Sequence, residues 1–140
     1  MAVRLPGGLV LWLLTTIGVF PDAALSASGI PWKIDEGAAL HLVGQGIGAW
    51  YEVWLEPEPY MSDDSFFVFD GLNKPPVNGS FGFFAINRWT GDVWALWGCH
   101  KLSTPVLRRS QAAIRRRFTR TETKQYARLS RLKPECIVED

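Results

Sequence analysis

The chain is short of the residues that do most enzyme chemistry. Its 140 residues include two histidines, two cysteines and two methionines. His41, Cys99, His100 and Cys136 show no Cys/His spacing of the kind that lets three or four zinc ligands converge. Cys99 and His100 are adjacent, and neighbours on a strand point to opposite faces, which argues against a Cys–His nucleophile pair. Long apolar runs are also missing. The longest, Gly8 to Phe20, falls below the roughly 20 residues that span a bilayer. Acidic residues almost disappear between Lys101 and Lys133. Glu122 stands alone there against eleven basic residues.

What is present follows from that last deficit. Between Ala27 and His100 the balance reverses, with nine acidic residues against Lys33, Lys74 and Arg88. The overall charge of +1 conceals a split into an acidic half and a basic tail. Such a split speaks to partners more than a net value does. Charge runs on helices are mostly solvated faces, so the first reading of the tail is one that complements the acidic half of its own domain. The second is a dock for an acidic partner, and anionic lipid comes third. Nucleic acid is disfavoured by the near-neutral total and by the export reading that follows.

Residues 1–26 read as a secretory signal peptide. Arg4 supplies a weak positive start, Gly8 to Phe20 the apolar stretch, and Ala24-Leu25-Ser26 the small residues of a cleavage site. The expected location is therefore periplasmic or secreted. Residues 27–140 then form a single small domain, with a helix and sheet over 27–100 and a basic helical tail over 101–140. In an oxidising compartment the pair Cys99 and Cys136 reads as a disulfide. Closing a loop of about 38 residues stabilises the fold by roughly 3–4 kcal/mol in the chain-entropy model.

The pattern predicts an α+β domain with a four-stranded antiparallel sheet. Ile34 to Gly48 reads as a short helix with Asp35 as N-cap and Ala38, Ala39, Leu42 and Val43 on one face, ended by Gly44, Gly46 and Gly48. Those glycines follow no strand, so they are not a phosphate-binding loop. Trp50 to Glu56 alternates as a strand, with Val53 and Leu55 on one face and Trp54 and Glu56 on the other. Phe66 to Phe69 is a second strand. Ser80 to Gly98 reads as a hairpin that turns at Asn87 to Asp92, where Gly91 supplies positive φ. In the tail, Thr104-Pro105 opens a helix. Val106, Leu107, Ala113, Ile114 and Phe118 are the expected core stripe. Thr119 to Glu122 has capping-box spacing, and Tyr126, Leu129 and Leu132 recur beyond it. One kinked helix and two helices both fit.

The stretch Phe83 to Val93, FFAINRWTGDV, resembles the hairpin of PepSY-like domains, and the helix followed by hairpins resembles cystatin-like exported domains. The likeness covers about residues 35 to 98. It implies an envelope protein that binds or restrains something, sometimes a peptidase, and it implies no catalytic residue. In size and build the chain is also similar to exported immunity and inhibitor proteins.

No catalytic, metal or cofactor residue is assigned. Asp63, Asp64 and Asp70 lack calcium-loop spacing. Glu52, Glu56 and Glu58 read as a polar outer face rather than as a glycosidase pair. The expectation is a non-enzymatic module that binds another envelope protein, acidic where they touch, in the manner of an inhibitor or immunity protein of an envelope-acting hydrolase. The expected contacts are Trp89 as an anchor at the hairpin tip, with Arg88, Arg109, Arg115 and Arg116. The alternatives are a ligand-binding module with an aromatic groove lined by Trp50 or Trp54, and, less favoured, a small secreted hydrolase.

Overall fold

A computed structural model describes residues 29–48 and 53–137. The signal-peptide reading, Trp50 and Glu52 lie outside the described residues. The order is α1 (Glu36–Ile47), β1 (Val53–Pro57), β2 (Phe66–Asn73), β3 (Ser80–Asn87), β4 (Val93–Ala95), β5 (His100–Lys101), α2 (Pro105–Arg115) and α3 (Arg120–Leu129). The class is α+β, as the pattern predicts. The sheet has five strands in sequential order, every pair antiparallel. The strand that pattern reading misses is β5. Two residues carry no periodicity, and His100-Lys101 is polar, so it pairs beside Trp94 and Ala95 without any sequence signal.

Each helix begins on a side chain that accepts an orphan backbone N–H. Asp35 accepts from Ala38 N at 2.8 Å and Thr104 from Leu107 N at 3.1 Å. Thr119 and Glu122 form a reciprocal capping box. The tail is thus two helices, separated by Arg116 to Thr119. In α1 the glycines do not end the helix early. It runs through Gly44 and Gly46 and stops at Gly48, whose φ is +94°. Gly46 is buried, and a Cβ there would lie 3.2 Å from Leu102 Cδ1, so glycine lets the start of α2 pack closely. Ala38 is exposed, and the buried face is Ala39, Leu42, Val43 and Gly46.

All three helices cover one face of the sheet. Phe69, Phe84, Ile86 and Val93 from the strands meet Leu42, Val43, Leu107, Ile114, Phe118 and Leu129 in one apolar cluster. The stripe on α2 is narrower than predicted: Val106 and Ala113 are exposed because only one edge of the helix meets the core. On the other face Phe66, Val68, Ala85, Trp94 and Leu96 form a second cluster, against which Leu132 and Ile137 pack. The C-terminal segment reaches that face because Cys99 and Cys136 are bonded, with Cα atoms 5.5 Å apart. Ile137 N donates to the Leu96 carbonyl at 3.2 Å beside it.

Candidate protein-binding surface

The hairpin turn expected to present Trp89 is enclosed by other elements. Asn87, Trp89, Thr90 and Gly91 are all buried, Trp89 to 3% exposure. The N-terminal segment crosses the turn, where Lys33 N and Ile34 N donate to the Arg88 carbonyl and Trp89 Nε1 donates to the Ile30 carbonyl at 2.9 Å. Gly91, at φ +72°, sits against Ile114, Leu42 and Ile34, and a Cβ would come within 2.8 Å of Ile114. Trp89 is therefore a core residue and not an exposed anchor. Its indole is buried because α1, α2 and the N-terminal segment converge on the turn.

Arg88 is also held within the molecule. Its guanidinium lies between the rings of Trp32 and Phe67, at 4.3 and 3.9 Å from their centroids. Its Nε is buried without a hydrogen-bond partner. Burial lowers its pKa, while the nearby Asp63, Asp64 and Glu36 carboxylates oppose that shift. Trp32 Nε1 donates to the Asp64 carbonyl, so ring, cation and acidic loop form one unit. This packing takes Arg88 out of the free cations expected for a partner.

The remaining expected contacts stand at the surface. Arg109 and Arg116 follow Leu107 and Ile114 by two residues, roughly 200° around the helix from the buried edge, and both are exposed. Arg115 lies over the Tyr126 ring at 4.8 Å. The Tyr126 hydroxyl pKa is raised, first by burial and then by Asp92, with Arg115 opposing.

The two halves neutralise each other only sparingly. Lys101 bonds Asp92 at 3.0 Å, and Lys33 bonds Glu122 at 2.8 Å. Arg109, Arg116, Arg117, Arg120 and Lys124 have no carboxylate partner among the described residues. The first reading of the tail, a face complementing its own acidic half, therefore fits Lys101 and, among the described residues, none of the arginines. The acidic side chains mostly lie elsewhere. Glu56 and Asp70 occupy the sheet face turned away from the helices, and Asp63 and Asp64 lie between β1 and β2, where their charge acts on Arg88.

A groove of about 500 Å³ lies between α1, β1 and the start of α2, lined by Leu40, His41, Gln45, Val53, Leu55 and Val106. His41 is exposed on α1 and His100 on β5, each away from Cys99 chemistry because that sulfur is in the disulfide. No group of three His, Cys, Asp or Glu residues able to hold a metal occurs among the described residues.

No protein-family model matches the sequence, and no curated protein matches it. The fold is similar to a chain in the structure of a type VI secretion system effector-immunity complex from Pseudomonas protegens. The TM-score is 0.52 at 15% identity, over 69% of this chain and 88% of that one. At that identity the likeness is one of fold.

Proposed function

We propose that this chain is a non-enzymatic protein-binding module that acts as an inhibitor or immunity protein, exported to the envelope and directed at a hydrolase there. The observation that carries the reading is the uncompensated basic surface on α2 and α3. Arg109, Arg116, Arg117 and Arg120 project outward with no carboxylate among the described residues to pair them. Arginine is enriched in binding hot spots, and a one-sign surface speeds encounter with an opposite one. The partner is accordingly acidic at its contact surface. Two further points support the reading. The fold is shared with a chain from an effector–immunity complex, and the disulfide suits an oxidising compartment.

The test is co-expression with the product of the neighbouring gene directed to the periplasm. Rescue of growth by the wild-type chain is expected, along with a stable complex on gel filtration. Arg109→Glu/Arg116→Glu/Arg117→Glu should weaken that complex at least ten-fold and abolish rescue while leaving the melting temperature unchanged. Rescue that persists in the triple variant would remove the helix face from the reading.

A second reading, a ligand-binding module, has the apolar groove beside Leu40, Leu55 and Val106 in its favour. Its test is the melting temperature in the presence of a panel of apolar ligands.

A further inference from the structure

The same three-part device recurs inside this fold. A cation lies over an aromatic ring and faces a carboxylate. Arg88 sits between Trp32 and Phe67 in the looser form of the device, with the charge of Asp63 and Asp64 acting on it but no ion pair formed. Lys101 lies 5.4 Å from the Trp94 ring centroid and bonds Asp92. Lys33 lies 5.2 Å from the Phe118 ring centroid and bonds Glu122. In each case ring and carboxylate together favour a cation that either would hold weakly alone.

On the sheet face turned away from the helices two parts of this device are present and the third is missing. The register places Trp54 opposite Leu72, Glu56 opposite Asp70, and Asp70 opposite Phe83. All these side chains share one face, since each pair is directly opposed in an antiparallel ladder. Trp97 packs edge-on against Phe83 at 6.1 Å, extending the strip past β3. Leu132 and Ile137 of the C-terminal segment pack against the neighbouring row, Val68, Ala85 and Trp94, with Phe83 at its border, and Ile137 bridges the Trp97 backbone. Trp54 is 53% and Trp97 37% exposed. Neither indole has a cation over it among the described residues. Glu56 has no ion pair there either, and Asp70 accepts only from Ser80 Oγ at 2.5 Å.

We propose that this strip is a docking site for an arginine-bearing segment of a protein partner, with guanidinium groups laid on Trp54 and Trp97 and paired with Glu56 and Asp70. The charge is opposite to that of the α2–α3 surface, so the site is separate from the one in the preceding proposal and does not depend on it. Arginine suits it better than lysine, because a planar guanidinium stacks on an indole and pairs bidentately with a carboxylate at the same time. The strip spans three inter-strand steps, roughly 14 Å. An extended segment with arginines four residues apart covers about the same distance.

The test uses the oxidised full chain and a synthetic peptide, acetyl-Arg-Gly-Arg-Gly-Arg-amide, read by the indole N–H signals in a nitrogen–proton correlation spectrum. The signals of Trp54 and Trp97, assigned with Trp54→Phe and Trp97→Phe, should shift in a saturable way, while those of Trp32 and Trp89 stay in place. Replacing arginine with uncharged citrulline should abolish the shifts. Lysine should weaken binding at least three-fold, and Glu56→Gln/Asp70→Asn at least ten-fold. The double variant is checked for folding by its melting temperature, and Glu56→Gln alone, which touches no internal bond, should still weaken binding about three-fold. Unmoved Trp54 and Trp97 signals at millimolar peptide would overturn the proposal. So would equal affinity of the wild type and the Glu56→Gln variant. Salt-sensitive self-association that disappears in Arg116→Glu/Arg117→Glu would overturn it as well, because the occupant would then be a second copy of this chain.

Discussion

Asn87 and Leu129 stand 42 residues apart in sequence and are joined by a buried hydrogen bond, in which Asn87 Nδ2 donates to the Leu129 carbonyl at 2.9 Å. The other end of the same amide shapes the hairpin turn, where Oδ1 accepts from Trp89 N at 3.0 Å and Thr90 N at 3.1 Å. Leu129 is the last residue of α3, so its carbonyl has no partner within the helix. One fully buried side chain therefore sets the turn and fastens the end of the basic helix to it. The acidic and basic halves are locked together by a neutral amide as much as by charge.

Replacing Asn87 with alanine takes the acceptor from the buried amides of Trp89 and Thr90 and leaves the Leu129 carbonyl only the longer bond from Leu132 N at 3.3 Å. Unmade buried hydrogen bonds cost about 1–3 kcal/mol each, with partial relaxation. The expected loss is about 2–4 kcal/mol in a denaturant titration. A loss below about 1 kcal/mol would mean that the turn holds without this side chain.

Elements with strong local signals were legible in the sequence. Asp35, Thr104 and Thr119 mark helix starts that the structure reproduces, because a cap depends on residues within one turn. The β3–β4 hairpin was legible from its alternation and from Asn87 to Gly91. The surroundings of that turn were not. Nothing in WTGD tells whether a hairpin tip meets solvent or the ends of three other elements, and Trp89 is buried by contacts from Ile30, far away in the chain. The two faces of the sheet could be assigned from the alternation of Val53 to Glu56, but which face the helices cover could not. For that reason Trp54 entered the sequence reading only as a candidate groove lining. Arg88 could not be told from the tail arginines by type alone. Its ring partners Trp32 and Phe67 lie 56 and 21 positions earlier in the sequence.

Trp89 as a core residue predicts a stability effect. Trp89→Ala removes a large buried ring and should cost about 3–5 kcal/mol. Trp89→Phe keeps most of the apolar contact and loses the Nε1 bond to the Ile30 carbonyl, a cost of about 1–2 kcal/mol. Chemical denaturation of the two variants checks the order. A stable Trp89→Ala variant with impaired complex formation would return the residue to the surface role expected from sequence.

The disulfide holds the segment that packs Leu132 and Ile137 against the second apolar cluster. Cys99→Ser/Cys136→Ser should lower stability by about 3–4 kcal/mol on the chain-entropy account. It should also speed hydrogen exchange at Ile137 N, which bonds the Leu96 carbonyl beside the bridge. Exchange at Asn87 N, inside the hairpin, should change only through the global loss. Unchanged protection at Ile137 would show that Leu132 and Ile137 hold the segment through packing alone.

Glu122 links acid stability to the N-terminal segment. Its pKa is held below 4.5, first by the hydrogen bond from Lys33 Nζ and then by that from Thr119 N. A carboxyl whose folded pKa lies below its unfolded value adds stability above the unfolded pKa. That stability is lost as pH falls through the folded value. The contribution should therefore be fully present at neutral pH and fade below about pH 4.5. The pair is near the surface, so its worth is about 0.5–1 kcal/mol. Glu122→Gln should be less stable than the wild type by that amount at pH 7, and the gap should close as pH falls through the folded value. Lys33→Met should narrow the gap at pH 7, since the hydrogen bond that lowers the Glu122 pKa most is then gone. Parallel stability curves for the wild type and Glu122→Gln from pH 7 to pH 3 would show that the bond to Lys33 contributes nothing to folding.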